Sequence, residues 1–158
     1  MSVIDIDLAM HHLLAEPDDQ VLVQAQLDAA EEAAMQFLNR RVYVDQVALD
    51  EARAGVSADL QQAKAENAEA IAAAEEEQDL TLRCRLLDHA RQALAEAYDR
   101  ADAIAYGMVL NPSIQAACLL KLGHLFANRE DVVTGTIATE LPIASQHLLT
   151  PYRIRMGV

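Results

Sequence analysis

The chain has no tryptophan, only two phenylalanines and four tyrosines, and just two cysteines, five glycines and four prolines among its 158 residues. Without large aromatics, a core has to be built from aliphatic side chains and alanine, which implies thin-walled helix packing rather than an aromatic centre. The scarcity of glycine and proline argues for long uninterrupted helices. Cys84 and Cys118 have no CxxC partner and no histidine at ligand spacing. Both are expected to be small buried hydrophobes in a reducing compartment. Positive charge is scarce as well: 12 Lys and Arg face 25 Asp and Glu, for a formal net charge of −13. That balance excludes sequence-independent nucleic-acid binding, which needs excess cations to displace counterions from phosphates. It also favours solubility of the single subunit. No apolar run reaches transmembrane length, and the opening Met-Ser-Val-Ile-Asp-Ile-Asp lacks the basic region and apolar stretch of a signal peptide. The expectation is one soluble domain, made in the cytoplasm, with a core that needs no staples.

Chemical motifs are missing too. No glycine-rich loop follows a strand, no P-loop lysine occurs, and neither GxSxG nor HExxH is present. His11 and His12 are adjacent, and neighbours on a helix point about 100° apart, too far to share one ion. His89, His124 and His147 stand singly and read as helix-face or core residues. The Glu75–Asp79 run reads as a solvated hairpin tip or helix end rather than a cation site. No catalytic, cofactor-binding or metal-binding residue is assigned, and no enzyme activity is expected.

What remains is helical periodicity. Asp5 or Asp7 can cap a short helix over Leu8–Ala15. Glu16-Pro17-Asp18-Asp19 breaks it and starts a second helix running to about Arg40, with an apolar stripe at Leu22, Ala25, Ala29, Ala33 and Phe37. Ser57 can cap a third, bearing Leu60, Ala63, Asn67, Ala70 and Ala74. A further stripe runs Leu82, Leu86, Ala90, Ala93, Ala97, Ala101, Ile104, a seam suited to a close-packed helix pair. Two geometries fit 57–106: an antiparallel hairpin turning near Gln78–Leu80, or one very long helix. The hairpin is favoured because the Ala/Glu/Gln-rich first arm buries too little apolar area alone.

The stretch from Asn111 to Arg153 carries the strongest pattern. Asn111 can cap a helix that Pro112 opens, and Ile114, Ala116, Ala117, Cys118, Leu119, Leu120, Leu122, Leu125 and Phe126 leave it apolar on almost every side. Gly123 lowers helix propensity by about 1 kcal/mol relative to alanine, which points to close approach by another backbone. The helix exits on Asn128-Arg129-Glu130, where Arg129 and Glu130 read as a structural ion pair within or between chains. Leu141-Pro142-Ile143 and a helical turn through Leu148-Leu149 follow, stopped by Pro151. The end, Leu148, Leu149, Tyr152, Arg153 and Arg155, is apolar and basic, and suits docking onto a neighbouring subunit or a larger partner. The other reading of this tail is packing on its own helices.

The Pro-x-Ile-x-x-Ala helix, the Asn-Arg-Glu exit and the terminal Leu-Pro…Leu-Leu-x-Pro-Tyr-Arg together resemble the head-to-tail connector (adaptor, head-completion) family of long-tailed bacteriophages. The first forty residues are similar as well: a short helix, an acidic break, and an alanine-rich helix ending near Asn39-Arg40-Arg41-Val42-Tyr43, here without the family's glycine. The resemblance covers roughly 4–44 and 111–153, and Asp45–Leu110 has no counterpart in shorter members. It implies an all-α fold, a small helical bundle with a long helical-hairpin or long-helix insertion and an extended C-terminal tail. The core would be 4–44 and 111–150, the insertion 46–107 and the tail 151–158. It further implies a structural virion protein in the neck, assembled in the bacterial cytoplasm, that forms a ring of twelve copies beneath the portal. Such a ring extends a channel that DNA crosses without sequence-specific contact, and it receives a stopper or tail-terminator below. The portal-docking residues would be Leu148, Leu149, Tyr152, Arg153 and Arg155. The alternative from a different class is a cytosolic helical adaptor or regulator that binds a partner helix through its hairpin.

Overall fold

The computed structural model describes residues 2–128 and 143–155. Arg129, Glu130 and the Leu141-Pro142 motif therefore lie outside the described residues. The fold is all-α: among those residues, six α-helices are accompanied by one pair of two-residue strands. The chain divides into two units, 1–46 with 108–158, and 47–107.

The first unit begins with α1 (Ile6–Leu13), where the Asp5 carboxylate accepts the Asp7 N–H at 3.1 Å. The helix ends sooner than its apolar pattern suggests because Leu14 turns left-handed, with φ 52. The turn closes through Leu14 N–H to the His11 carbonyl and Ala15 N–H to the Met10 carbonyl. Pro17 opens a 3-10 turn (Pro17–Asp19) that runs directly into α2 (Gln20–Leu38). The buried line of α2 is Val23, Leu27, Ala30, Ala34 and Leu38. That line is rotated by one residue from the expected one: Leu22, Ala25 and Ala29 are exposed. The larger side chains on the 23/27/38 line took the core.

Asn39 ends α2 in the left-handed region, φ 56, with its N–H on the Gln36 carbonyl and Arg40 N–H on the Met35 carbonyl. Asparagine thus fills the place where a glycine is usual. Beyond it, β1 (Val42–Tyr43) pairs in parallel with β2 (Met108–Val109). The extra bonds Met108 N–H to Arg41 C=O and Leu110 N–H to Tyr43 C=O fasten the two ends of the insertion side by side. Then α5 (Pro112–Ala127) begins as its sequence demands, Asn111 accepting the Ile114 N–H at 2.9 Å and Pro112 in the first turn. Its Ile114, Ala117, Cys118, Leu119 and Leu122 are buried in one cluster with the α2 line, Ile4 and Ala9. The short α6 (Ile143–Leu149) and a 3-10 turn (Thr150–Tyr152) close the unit.

The second unit is a helical hairpin. Helix α3 (Gln46–Glu75) starts well before Ser57, which sits exposed in its interior, and α4 runs Leu80–Ala105. At the helical rise, α3 is about 45 Å long. The chain turns at 76–79, and Asp79 caps α4 by accepting the N–H groups of Thr81 (2.8 Å) and Leu82 (3.2 Å). This excludes the single long helix. Antiparallel pairing is fixed by polar ties along the seam. Asn67 donates to the Ala90 carbonyl at 2.7 Å, and Arg53 donates to the carbonyls of Ala105 (3.1 Å) and Gly107 (3.0 Å). The Lys64 ammonium lies 5.9 Å from the Tyr98 ring centre. Buried along the seam are Ala74, Ala90, Ala97 and Ala101, with Leu87 and Leu94 half-buried in place of the expected Leu86 and Ala93. On α3, Leu60, Ala63, Asn67 and Ala74 lie on the seam as expected, whereas Ala70 is exposed and Ile71 takes its place.

Candidate functional site

The residues assigned to docking come together where α2 ends. Pro151 breaks α6, and Arg153 leaves the 3-10 turn with extended backbone (φ −71, ψ 135). The chain then lies along the end of α2. Ile154 N–H donates to the Leu38 carbonyl at 3.1 Å, and Asn39 Nδ2 donates to the Ile154 carbonyl at 2.9 Å. Arg40 Nη1 reaches the Tyr152 carbonyl at 3.2 Å. The Arg153 guanidinium sits 4.8 Å from the centre of the Phe37 ring, a cation–π contact. The left-handed Asn39 therefore does two things: it ends α2 and it holds the tail.

This geometry divides the proposed docking set. Leu149 is 5% exposed and belongs to the chain's own core, against which Leu148 and Tyr152 also pack. Leu149 is a correction: its apolar surface is already covered within the subunit and is not offered to a partner. Arg153 and Arg155 are exposed, as is Pro151, so among the described tail residues both cations face outward. Tyr152 is half-buried and presents only part of its ring.

Gly123 is also corrected. A Cβ built there would meet side chains of α1, His12 Nε2 at 3.9 Å and Leu13 Cδ2 at 4.0 Å, and not a neighbouring backbone. The glycine faces α1 at ordinary contact distance. Of the cysteines, Cys118 is buried as expected, whereas Cys84 lies on the exposed side of α4. Burial, reinforced by the negative charge of Glu31 and opposed by Lys121, pushes the Cys118 thiol up to about 12 from its usual 9.0. Such a thiol is a hydrophobic filler and not a nucleophile.

One group escaped the sequence reading. Glu31 is 4% exposed and accepts from Ser2 Oγ (2.7 Å), Val3 N–H (3.0 Å) and Ile4 N–H (2.9 Å). It holds the N-terminal segment on α2 and so seats Ile4 in the core. The only hint in the sequence is spacing: position 31 falls on the same helical line as Leu27, Ala34 and Leu38. Among the described residues no cluster of His, Cys, Asp and Glu could hold a metal ion, and no helix is long and apolar enough to cross a membrane. Compared with protein-family models, curated proteins and solved structures, the chain matches none.

Proposed function

We propose that this chain is a head-to-tail connector subunit, a structural virion protein that assembles as a ring beneath the portal and joins the DNA-filled head to the neck. The observation that carries the reading is the way the resembling segments meet. Residues 4–44 and 111–153 are separated by a long insertion, yet they belong to one unit, while 47–107 forms another. A shared core with an added hairpin is the organisation expected of a family member that acquired an insertion.

The chemistry of the surface supports the same reading. A ring of identical subunits joins two different surfaces head to tail, and twelve-fold closure would match the portal. An acidic chain suits a channel that a polyanion must pass without sticking. In this reading Arg153 and Arg155, exposed on a tail that Asn39 and Arg40 fix in place, make the charged contact to the portal, and Tyr152 adds a partly open aromatic face.

Three measurements test it. The purified chain should be monomeric when dilute and form rings only on portal particles, and an antibody to it should decorate the neck in electron micrographs of virions. Arg153→Ser with Arg155→Ser should leave the fold intact and yield filled heads without tails. Normal tailed particles from that variant, or antibody label elsewhere than the neck, would remove the reading.

A further inference from the structure

The hairpin has a second line of apolar residues that its own partner helix does not cover. Leu82 is 45% exposed and Leu86 37% exposed, and Ala93 is exposed too. Leu82 and Arg100 are five helical turns apart, so these residues and Arg100 share one flank of α4. On α3, Asp59 and Glu66 are about two turns apart and lie on one line. A shallow groove lined by Asp59, Leu60, Ala97 and Arg100 joins the two flanks at one end. The flanks therefore form one face of the hairpin, about 27 Å long. Along α4 it presents Leu82, Leu86 and Ala93, with exposed His89 and Glu96 on the same line and Arg100 at its end, and it is acidic along α3.

The interior of the hairpin explains why this face matters. Apart from Leu49, its fully buried side chains are alanines. An alanine seam lets two helices approach closely but removes little apolar surface from water. A third helix laid along Leu82, Leu86 and Ala93 would complete a three-helix coil. Its character follows from charge: Asp59 and Glu66 line one edge of the face, which selects cationic flanks. We infer that this face of the hairpin binds a basic amphipathic helix of a partner protein, about 18 residues or longer, with leucine-type side chains on its seam and Lys or Arg beside them. The inference concerns a different unit and a different surface from the portal contact and does not depend on the connector reading.

The test uses the full chain and two labelled peptides of about three heptads, both with leucine seams, one flanked by lysine and one by glutamate. Fluorescence anisotropy at low salt should show binding of the lysine peptide and little of the glutamate peptide, weakening as salt rises. Leu82→Ser with Leu86→Ser should weaken the lysine peptide about tenfold or more, with an unchanged circular dichroism spectrum. Asp59→Lys with Glu66→Lys should reverse the preference between the peptides. Leu14→Ser with Val21→Ser, exposed apolar positions of the other unit, should change nothing. Equal binding after the leucine changes, or an unreversed preference, would overturn the inference. Self-association of the chain that disappears with Leu86→Ser would also overturn it, because a second copy would then be what covers the face.

Discussion

The two units of this protein hold themselves together by different means. In the first, Val23, Leu27, Leu38, Ile114 and Leu122 are fully buried and interlock across α2 and α5. In the hairpin the fully buried side chains other than Leu49 are alanines, and the register is set by polar ties from Asn67 and Arg53 to backbone carbonyls. The first unit is stabilised by volume, the second by close approach and capping. Both means serve in one chain, since an alanine seam leaves leucines available for the outside of the hairpin.

The sharpest way to break this comparison is to empty one position in each unit. Leu122→Ala removes a fully buried side chain, and the cavity should cost about 2–5 kcal/mol. Ala90→Gly in the hairpin seam should cost about 1 kcal/mol, the propensity difference, since there is little volume to lose. Urea unfolding followed by circular dichroism measures both. If Ala90→Gly were the more damaging, the hairpin would be the tighter of the two units.

Next in size is Glu31. Glu31→Ala would remove the acceptor of the part-buried Val3 N–H and leave the buried Ile4 N–H only its longer bond to Ser2 Oγ, at a cost of about 1–3 kcal/mol. Hydrogen exchange at those two amides should rise by more than exchange in the hairpin, because the acid ties down one segment of one unit. Equal loss of protection in both units would mean that they unfold together.

The errors of the sequence reading follow from the same contrast. Helices, caps and the hairpin turn were readable, because Asp5, Pro17, Asn111, Pro112 and Pro151 act locally. The faces were not. In α2 both 22/25/29/33/37 and 23/27/30/34/38 are apolar lines, and in α4 Leu86 and Ala93 compete with Leu87 and Leu94. An alanine-rich helix announces its period but not its direction, and only the larger side chains decide which line goes inward. Ser57 has the chemistry of a cap, but the helix passes through it. Glu31 carries no local signal of its role, because its partners lie 27 to 29 residues away. The tail could be read either as a docking segment or as packing on its own core. Burial of Leu149 and exposure of Arg153 and Arg155 divide it between the two.

The cysteines, one in each unit, sharpen the comparison further. Iodoacetamide on the folded protein should modify exposed Cys84 and leave Cys118 untouched. Cys118 also sets a pH dependence. Unfolded, it loses its proton near 9.0, and folded near 12. Between those values the unfolded state is the one that releases the proton, so stability falls as pH rises, by about 1.4 kcal/mol per pH unit at most. Unfolding at pH 8 and pH 10 should show the wild type losing about that much more than Cys118→Ala. Equal losses would mean that the folded thiol ionises like an exposed one.

The smallest effect tests how tightly the first unit is packed where α5 crosses α1. Gly123 sits mid-helix, where glycine costs about 1 kcal/mol relative to alanine. An added Cβ would lie 3.9 Å from His12 Nε2 and 4.0 Å from Leu13 Cδ2, which is ordinary contact. No backbone stands in its way, so a methyl group fits without displacing α1. Gly123→Ala should therefore stabilise the protein by up to about 1 kcal/mol, read as a small rise in melting temperature. Leucine at the same position would run into both side chains and should do the opposite. The sign of the alanine effect is the informative quantity. A fall would mean that α1 and α5 approach more closely than these distances allow, and that the glycine is required there. A rise would make it a site of spare room beside an otherwise filled core.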